Sequence, residues 1–497
     1  MIKRRDLLTQ SASLAALSAL PAHSFAQSKK DSIVLAMALE PSPGLDPTAG
    51  AASSIGEVTL YNIFEPLTKI NPDGSVVPLL AESWEVSPDL KTYTFKLRKG
   101  VKFHNGEPFN AAAVKFSFDR AGSEKSTNKD KRMFAAMSTQ VVDDHTVVLI
   151  MKEVDPDMLF LLGQAQASIV EPKSAADNNT RPVGTGPYKL ENWVKGSSVT
   201  LTKWDGYRNA AAIKLKRATF RFIPDPAAQV AALLAGDVDA FPRVTPRSVP
   251  QFKDNPKFQV VVSGSRAKTV LAINNKKKPF DDVRVRRAIA MSIDRKAVIA
   301  GAGDGYGAPI GSHYATSAPG YVDTTAVNAY NPDKARALLK EAGITSLDVT
   351  ITLPPPPYAR QGGEVIASQL SKVGINAKLQ NVEWAQWLSN TYGGAHNYDM
   401  TIISHVEPFD LVKFTERGYY WGYENAKFDD LYSKYKNAAR PQDRLKYLGD
   451  MQKQLADDSV LAWLYNPQWV TVANKNVRGL WKDMPIFVND LSALSWA

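Results

Sequence analysis

The sequence predicts an α/β protein built as two lobes. Three observations carry this: a strand, helix, strand pattern over residues 347–381, a β-rich amino-terminal half punctuated by turns, and enough length for several cores. Leu347, Val349, Ile351 and Leu353 alternate with polar residues as a half-buried strand does. The run Pro354 to Pro357 forces an extended loop, and Glu364 to Val373 carries a helical apolar stripe ending at Gly374. Ile375, Ala377 and Leu379 alternate again, so the unit reads as a parallel crossover. Upstream, Asn331 caps a helix that opens on Pro332, with Ala335, Leu338 and Leu339 inward and Gly343 closing it. In the amino-terminal half, Tyr93–Leu97 and Val147–Ile150 are strand-like, and turn residues at Pro88-Asp89 and Asp143-Asp144 predict hairpins. The 497 residues, 44% hydrophobic and 22% charged, correspond to about three units of the usual ~150 residues.

Residues 1–26 read as an export signal. Lys3-Arg4-Arg5-Asp6 is a basic start with paired arginines, an apolar run continues to Leu20, and Ser24-Phe25-Ala26 places small residues before a cleavable bond. The arginine pair points to the twin-arginine route, and the destination is the periplasm. The apolar run is shorter than the ~20 residues of a membrane span. The chain contains no cysteine, which excludes disulfides, thiolate metal sites and lipidation at a cysteine.

A net charge of +10 comes from 60 basic and 50 acidic residues. The basic residues are dispersed among acids, and the one short run, Lys276-Lys277-Lys278, reads as a solvated loop, so no nucleic-acid partner is expected. Catalytic patterns are missing as well: there is no Gly-x-Ser-x-Gly elbow, no phosphate-binding glycine loop and no His-Glu-x-x-His pair. The glycine cluster Gly301–Gly307 lacks dinucleotide spacing and reads as a loop. The six histidines, His23, His104, His145, His313, His396 and His405, are scattered, none at the helical spacing of a zinc pair. The expectation is therefore a protein without catalytic residues, metal or cofactor. An exported hydrolase using carboxylates paired in space is the alternative from another class, and a chaperone with an open apolar cleft is a third.

Six segments in a fixed order carry a resemblance. They are Leu45-Asp46-Pro47; Pro78-Leu79-Leu80-Ala81-Glu82-Ser83-Trp84; Val101 to Asn110 with Val114 to Arg120; Val183-Gly184-Thr185-Gly186-Pro187-Tyr188; Leu233 to Asp239; and Val285 to Ile289 with Ile293-Asp294-Arg295. Together they resemble the bacterial extracellular solute-binding proteins of family 5, the dipeptide, oligopeptide and nickel receptors of ABC importers. The resemblance implies a two-lobed periplasmic binding protein fold of the large peptide-binding class, with the ligand cleft between the lobes. It places the first lobe at 32–264, including an inserted subdomain of about 51–180, the second lobe at 265–474, and a return to the first lobe at 475–497. It further implies a monomer that captures a small polar solute, a di- or oligopeptide first, and delivers it to a membrane permease and its ATPase. A sugar, an opine-like conjugate or a metal chelate are the alternatives within the same role.

Binding chemistry is expected where the lobes meet, because closing two surfaces over a solute removes it from water. Glu383-Trp384 resembles the family's acid–tryptophan element, which singles out Trp384. The loop Ser404-His405-Val406-Glu407-Pro408-Phe409-Asp410 resembles the one that, in peptide-binding relatives, carries an aspartate for the peptide's α-ammonium just ahead of a proline. Placing Glu407-Pro408 on the relatives' acid–proline pair puts Ser404 where that aspartate would stand. The standard anchor is thus missing, and Glu407 or Asp410 is the substitute, since an ammonium needs only a carboxylate within about 4 Å. His405 enters the same cleft. Trp421, from the run Tyr419-Tyr420-Trp421, is the stacking candidate, Arg360 the anion-binding candidate, and Tyr61 the first-lobe wall.

Overall fold

A single mixed sheet of twelve strands runs through both lobes of this computed structural model, which describes residues 30–50, 52–393 and 396–497. The expected export signal lies outside the described residues. The strand Ala462–Asn474 is the seam of the sheet. Its first residues pair with Lys268–Ile273 and Gly307–Pro309, and its later residues pair with Phe258–Gly264 and Ala240–Val244. On one side the sheet continues through Met400–His405, Leu347–Leu353 and Ile375–Asn381; on the other through Ser32–Met37, Arg217–Phe222, Ser198–Lys203 and Tyr188–Val194. The change of partners falls between Tyr465 and Gln468, ahead of the Asn474–Asn476 crossing that the sequence suggests. Asn466 explains it: its buried amide donates to the carbonyls of Ser265 (3.1 Å) and Ala267 (2.7 Å), tying the seam to the chain as it leaves Gly264. Among the described residues, no helix is long and apolar enough to cross a membrane.

The hairpins expected in the amino-terminal half form a four-stranded antiparallel sheet in the order Ala81–Val86, Thr92–Leu97, Thr146–Met151, Met137–Asp143. The helix Ala111–Gly122 covers it, capped by the Asn110 side chain on the Ala113 amide (3.1 Å), with Val114 and Phe118 buried. Much of the family-like sequence serves to hold this region together. Arg120 donates to buried Asp46 at 2.8 Å, joining two of the six segments. His104 Nε2 meets the Gly186 carbonyl at 2.9 Å, and its Nδ1 accepts from the Gly184 amide at 3.3 Å, which ties in a third. A Cβ at Gly184 would stand 2.0 Å from the Ile63 carbonyl oxygen, so only glycine lets these backbones pass. Buried Glu65 completes the joint, accepting two bonds from Arg208 (2.6 and 2.7 Å) and one from Thr185 (2.9 Å).

In the second lobe, Leu347–Leu353 and Ile375–Asn381 pair in parallel, as the alternation predicts. The helix between them spans Pro357–Ser371, starting well before Glu364. The proline run does not exclude this, because Pro357 occupies the first helical position, where no amide hydrogen is needed. The neighbouring helix Pro332–Glu341 is capped by Asn331 on the Lys334 amide (2.9 Å) and buries Ala335 and Leu339. Lys276 and Lys277 form ion pairs with Glu424 (3.4 Å) and Asp399 (2.5 Å).

Candidate functional site

Leu347–Leu353, Ile375–Asn381 and Met400–His405 all point their carboxyl ends toward one edge of the second lobe's half of the sheet, the usual ligand edge of an open α/β sheet. The segments leaving that edge are Pro354 to Arg360, Glu383 to Trp387 and Ser404 to Asp410. The last of these reaches the first lobe. Phe409 meets Phe160 edge to face, with ring centroids 4.9 Å apart, beside the apolar patch of Leu60, Tyr61 and Ile486. A groove of about 350 Å³ opens between Val406, which is half-exposed, and a wall of Ser53, Gly56, Leu60, Gln164, Ile486 and Phe487. A second cavity, under Trp481 and Met484, measures about 20 Å³, room for a water and not for a solute.

Beneath the loop lies a buried charge cluster. Lys268 opens its strand directly opposite His405. Its Nζ donates to Oδ1 of Asp410 (2.7 Å) and to the Glu407 carbonyl (2.5 Å). His313 Nε2 donates to Oδ2 of Asp410 at 2.7 Å. His405 pairs through Nε2 with the Tyr420 hydroxyl (2.9 Å) and turns Nδ1 toward Asp410, 3.8 Å away. Burial works against every charge here. It pushes the His405 pKa down to about 3, reinforced by neighbouring His313, and lowers that of His313 too. Burial opposes ionisation of Asp410 as well, but the His313 bond and the Lys268 ammonium overcome it and hold the carboxyl well below its ordinary range. At neutral pH the cluster is one ion pair, Lys268 with Asp410, solvated by two neutral imidazoles.

The cluster also bears on metal. Nitrogens of His313 and His405 and an oxygen of Asp410 lie within 4.8 Å of one another, a juxtaposition that their separation in sequence hides. The donor set does not suit a divalent cation, because Lys268 already neutralises Asp410 from 2.7 Å.

The eight residues singled out from the sequence fall into four groups. Glu407 (58% side-chain exposure) and Trp384 (43%) face solvent at the sheet edge. Arg360 is engaged with Glu383 at 3.7 Å. Ser404 and His405 sit at the strand end: Ser404 Oγ bonds Thr269 (3.2 Å), and its amide donates to the Tyr358 hydroxyl (3.1 Å). Asp410, Trp421 and Tyr61 are interior. Asp410 is 5% exposed and each of its oxygens already accepts a bond, from Lys268 and from His313. Trp421 stacks on Phe414 at 4.3 Å and has no solvent exposure. The Tyr61 hydroxyl donates to the Gly163 carbonyl (2.8 Å) and accepts from the Ile70 amide (2.9 Å). Sequence reasoning missed His313, Lys268, Phe160 and Phe409. The aromatic run at Tyr419 to Trp421 was the one local signal of a dense core here.

Comparison with known proteins places this geometry. A family model described as bacterial extracellular solute-binding proteins, family 5 middle, matches residues 75–411. The dipeptide-binding protein of Escherichia coli (strain K12) is 32% identical over 383 residues, which cover 70% of this chain and 71% of that protein. Among solved structures, the binding protein AgaA from A. tumefaciens R10 in complex with agropinic acid superposes with a TM-score of 0.74 at 27% identity, covering 94% of this chain and 99% of that one. HbpA2 from Haemophilus parasuis superposes with a TM-score of 0.87 at 22% identity, covering 94% and 100%.

Proposed function

Because this chain belongs to the bacterial extracellular solute-binding proteins of family 5, we propose that it captures a di- or oligopeptide between its lobes and delivers it to the membrane permease of an ABC importer. It is a transport binding protein and not an enzyme, and it works outside the cytoplasm. The observation that carries the peptide reading is the loop Val406 to Phe409, which presents the exposed Glu407 carboxylate beside a groove on the opposing lobe that sets Leu60, Ile486 and Phe487 next to Lys129 and Gln164. In this reading Glu407 takes the ammonium in place of the aspartate that Ser404 replaces. Trp384, Val406 and Phe487 contact the side chains, and His405, Asp410 and Trp421 hold the loop from beneath. The lobes divide near 265 and again between Tyr465 and Gln468, ahead of the 474 read from the sequence, with the inserted subdomain at about 51–180, and the protein acts as a monomer.

A thermal-shift series on residues 27–497 tests this. A one-site ligand at 100 times its Kd should stabilise the protein by ~2.7 kcal/mol. Free di- and tripeptides are expected to raise the midpoint, their N-acetylated forms to do so only at much higher concentration, and Glu407→Gln to erase that difference. Small-angle scattering on the same samples should show a monomer that contracts when a peptide is added. If sugars, opines or chelated nickel raise the midpoint and peptides do not, the peptide reading is wrong. The agropinic acid complex of the 27%-identical relative supports an opine-like conjugate as the second reading.

We also infer export by the twin-arginine route. Replacing Arg4 and Arg5 together by lysine should then stop the mature protein from reaching the periplasm, whereas continued export would assign it to the general secretory route.

A further inference from the structure

Arg266 is 94% buried, yet it has no hydrogen bond or ion pair among the described residues, and its Nε is wholly enclosed without a partner (6% exposed). A guanidinium carries five donors and stays charged, so burying one unpaired is costly and rare. Asp73, Asp483 and Tyr314 are near enough to favour its charge, but burial outweighs them and presses its pKa below the ordinary arginine value. Asp483 accepts from the Gly264 amide through Oδ1 at 2.9 Å. Asp73 accepts from the backbone and hydroxyl of Ser75 (2.9 and 2.7 Å).

The position is equally specific. Arg266 stands two residues before Lys268, in the bend where the chain has just left the first-lobe strand Phe258–Gly264. Its Nη2 rests on Gly74 of the first lobe, in the turn between the short strands Thr68–Ile70 and Val76–Pro78; a Cβ there would stand 2.0 Å away. Gly74 has a φ of +85°, so glycine both makes the turn and admits the guanidinium. Glu407 lies two residues beyond His405, which faces Lys268 across the ladder, and no ion pair joins Glu407 to Arg266 among the described residues. Arg266 is thus an unpaired cation at the lobe junction, held against Gly74 of the first lobe.

We propose that Arg266 is the specificity residue that binds the carboxylate of the transported solute, through the two parallel N–H donors of its guanidinium. This rests on the reading that the solute sits at the lobe junction. It narrows the solute to one with a free carboxylate, whether a peptide's carboxyl terminus or an N-substituted amino acid.

Isothermal titration with alanyl-phenylalanine, its carboxamide, an N-(1-carboxyethyl) amino acid and its carboxamide tests this on wild type, Arg266→Gln and Arg266→Lys. The wild type should bind an acid about a hundredfold more tightly than its amide. Arg266→Gln should bind the two alike and Arg266→Lys should fall between. Ligand-free Arg266→Gln should melt no lower than wild type, because the substitution removes an unpaired buried charge. The proposal is overturned if acid and amide bind wild type equally, if Arg266→Gln keeps the preference, if it melts lower without ligand, or if no acid of the panel binds. The two readings fail separately. Alanyl-phenylalanine bound without an acid preference leaves the peptide reading standing and Arg266 refuted. An N-carboxyethyl amino acid bound with that preference, while the dipeptide does not bind, supports Arg266 and refutes the peptide.

Discussion

Asp410→Ala should destabilise the ligand-free protein by about 3–5 kcal/mol, the range for breaking one partner out of a buried ion pair. The Lys268 ammonium is 98% buried (2% side-chain exposure) and would keep only the Glu407 carbonyl as acceptor. His313 would lose the acceptor of Nε2, and its Nδ1 already lacks a partner among the described residues. Much of the cost is thus the stranded lysine and not the value of the pair itself, which the double variant Lys268→Met/Asp410→Leu isolates by removing both charges together. Denaturant melts should show it recovering most of the loss. A single variant within about 1 kcal/mol of wild type, or a double variant as unstable as the single, would show that Asp410 does not hold the cluster together. Lys268 bonds the Glu407 carbonyl as well as Asp410, so the single change should also loosen the loop that carries Val406, Glu407 and Phe409.

What the sequence revealed and what it hid divide along a physical line. Caps, alternations and tight turns act over a few residues, so the Asn331 cap, the Leu347–Leu353 and Ile375–Asn381 strands and the amino-terminal hairpins were legible. The family-like segments were legible too, yet in the structure they act mainly as scaffold: Asp46 holds Arg120, His104 holds the Gly184 to Gly186 turn, and buried Arg286 donates to the carbonyls of Phe280 (2.8 Å) and Asp458 (2.9 Å). Their patterning marks the fold without marking the solute. The candidate edge depends on strand register between distant segments, which no local pattern encodes. Lys268 meets Asp410 across 142 residues and His313 meets it across 97. For the same reason Asp410 and Trp421, chosen for residue type and loop position, turned out to be interior, and Arg266 was not chosen at all.

Acidification from pH 6.5 to 5 should cost the wild type about 2 kcal/mol more than it costs His405→Gln, as read from denaturant melts at each pH. In the unfolded chain a histidine takes its proton near pH 6.5, whereas folded His405 stays neutral down to about 3. Between those values the unfolded state binds a proton that the folded state refuses, so stability falls with pH by about 1.36 kcal/mol per unit. His313 is depressed in the same direction, so removing both histidines should enlarge the difference. Asp410 does not offset this: a depressed carboxyl contributes stability above its unfolded value near 3.9, and that contribution is fully present throughout the window. Asp157 does oppose it. Its carboxyl lies beside Asp155 and against the Tyr435 hydroxyl (3.2 Å), and burial raises its pKa to about 7, so acidification relieves a cost there. Comparing variants within one Asp157→Asn background removes that opposing slope. Identical pH dependence in wild type and His405→Gln would mean that folded His405 takes its proton at the same pH as in the unfolded chain, and the neutral-imidazole reading would fall. Below that pH the loop would rest on a charged imidazole beside Lys268, and Asp410 would be balancing two cations instead of one.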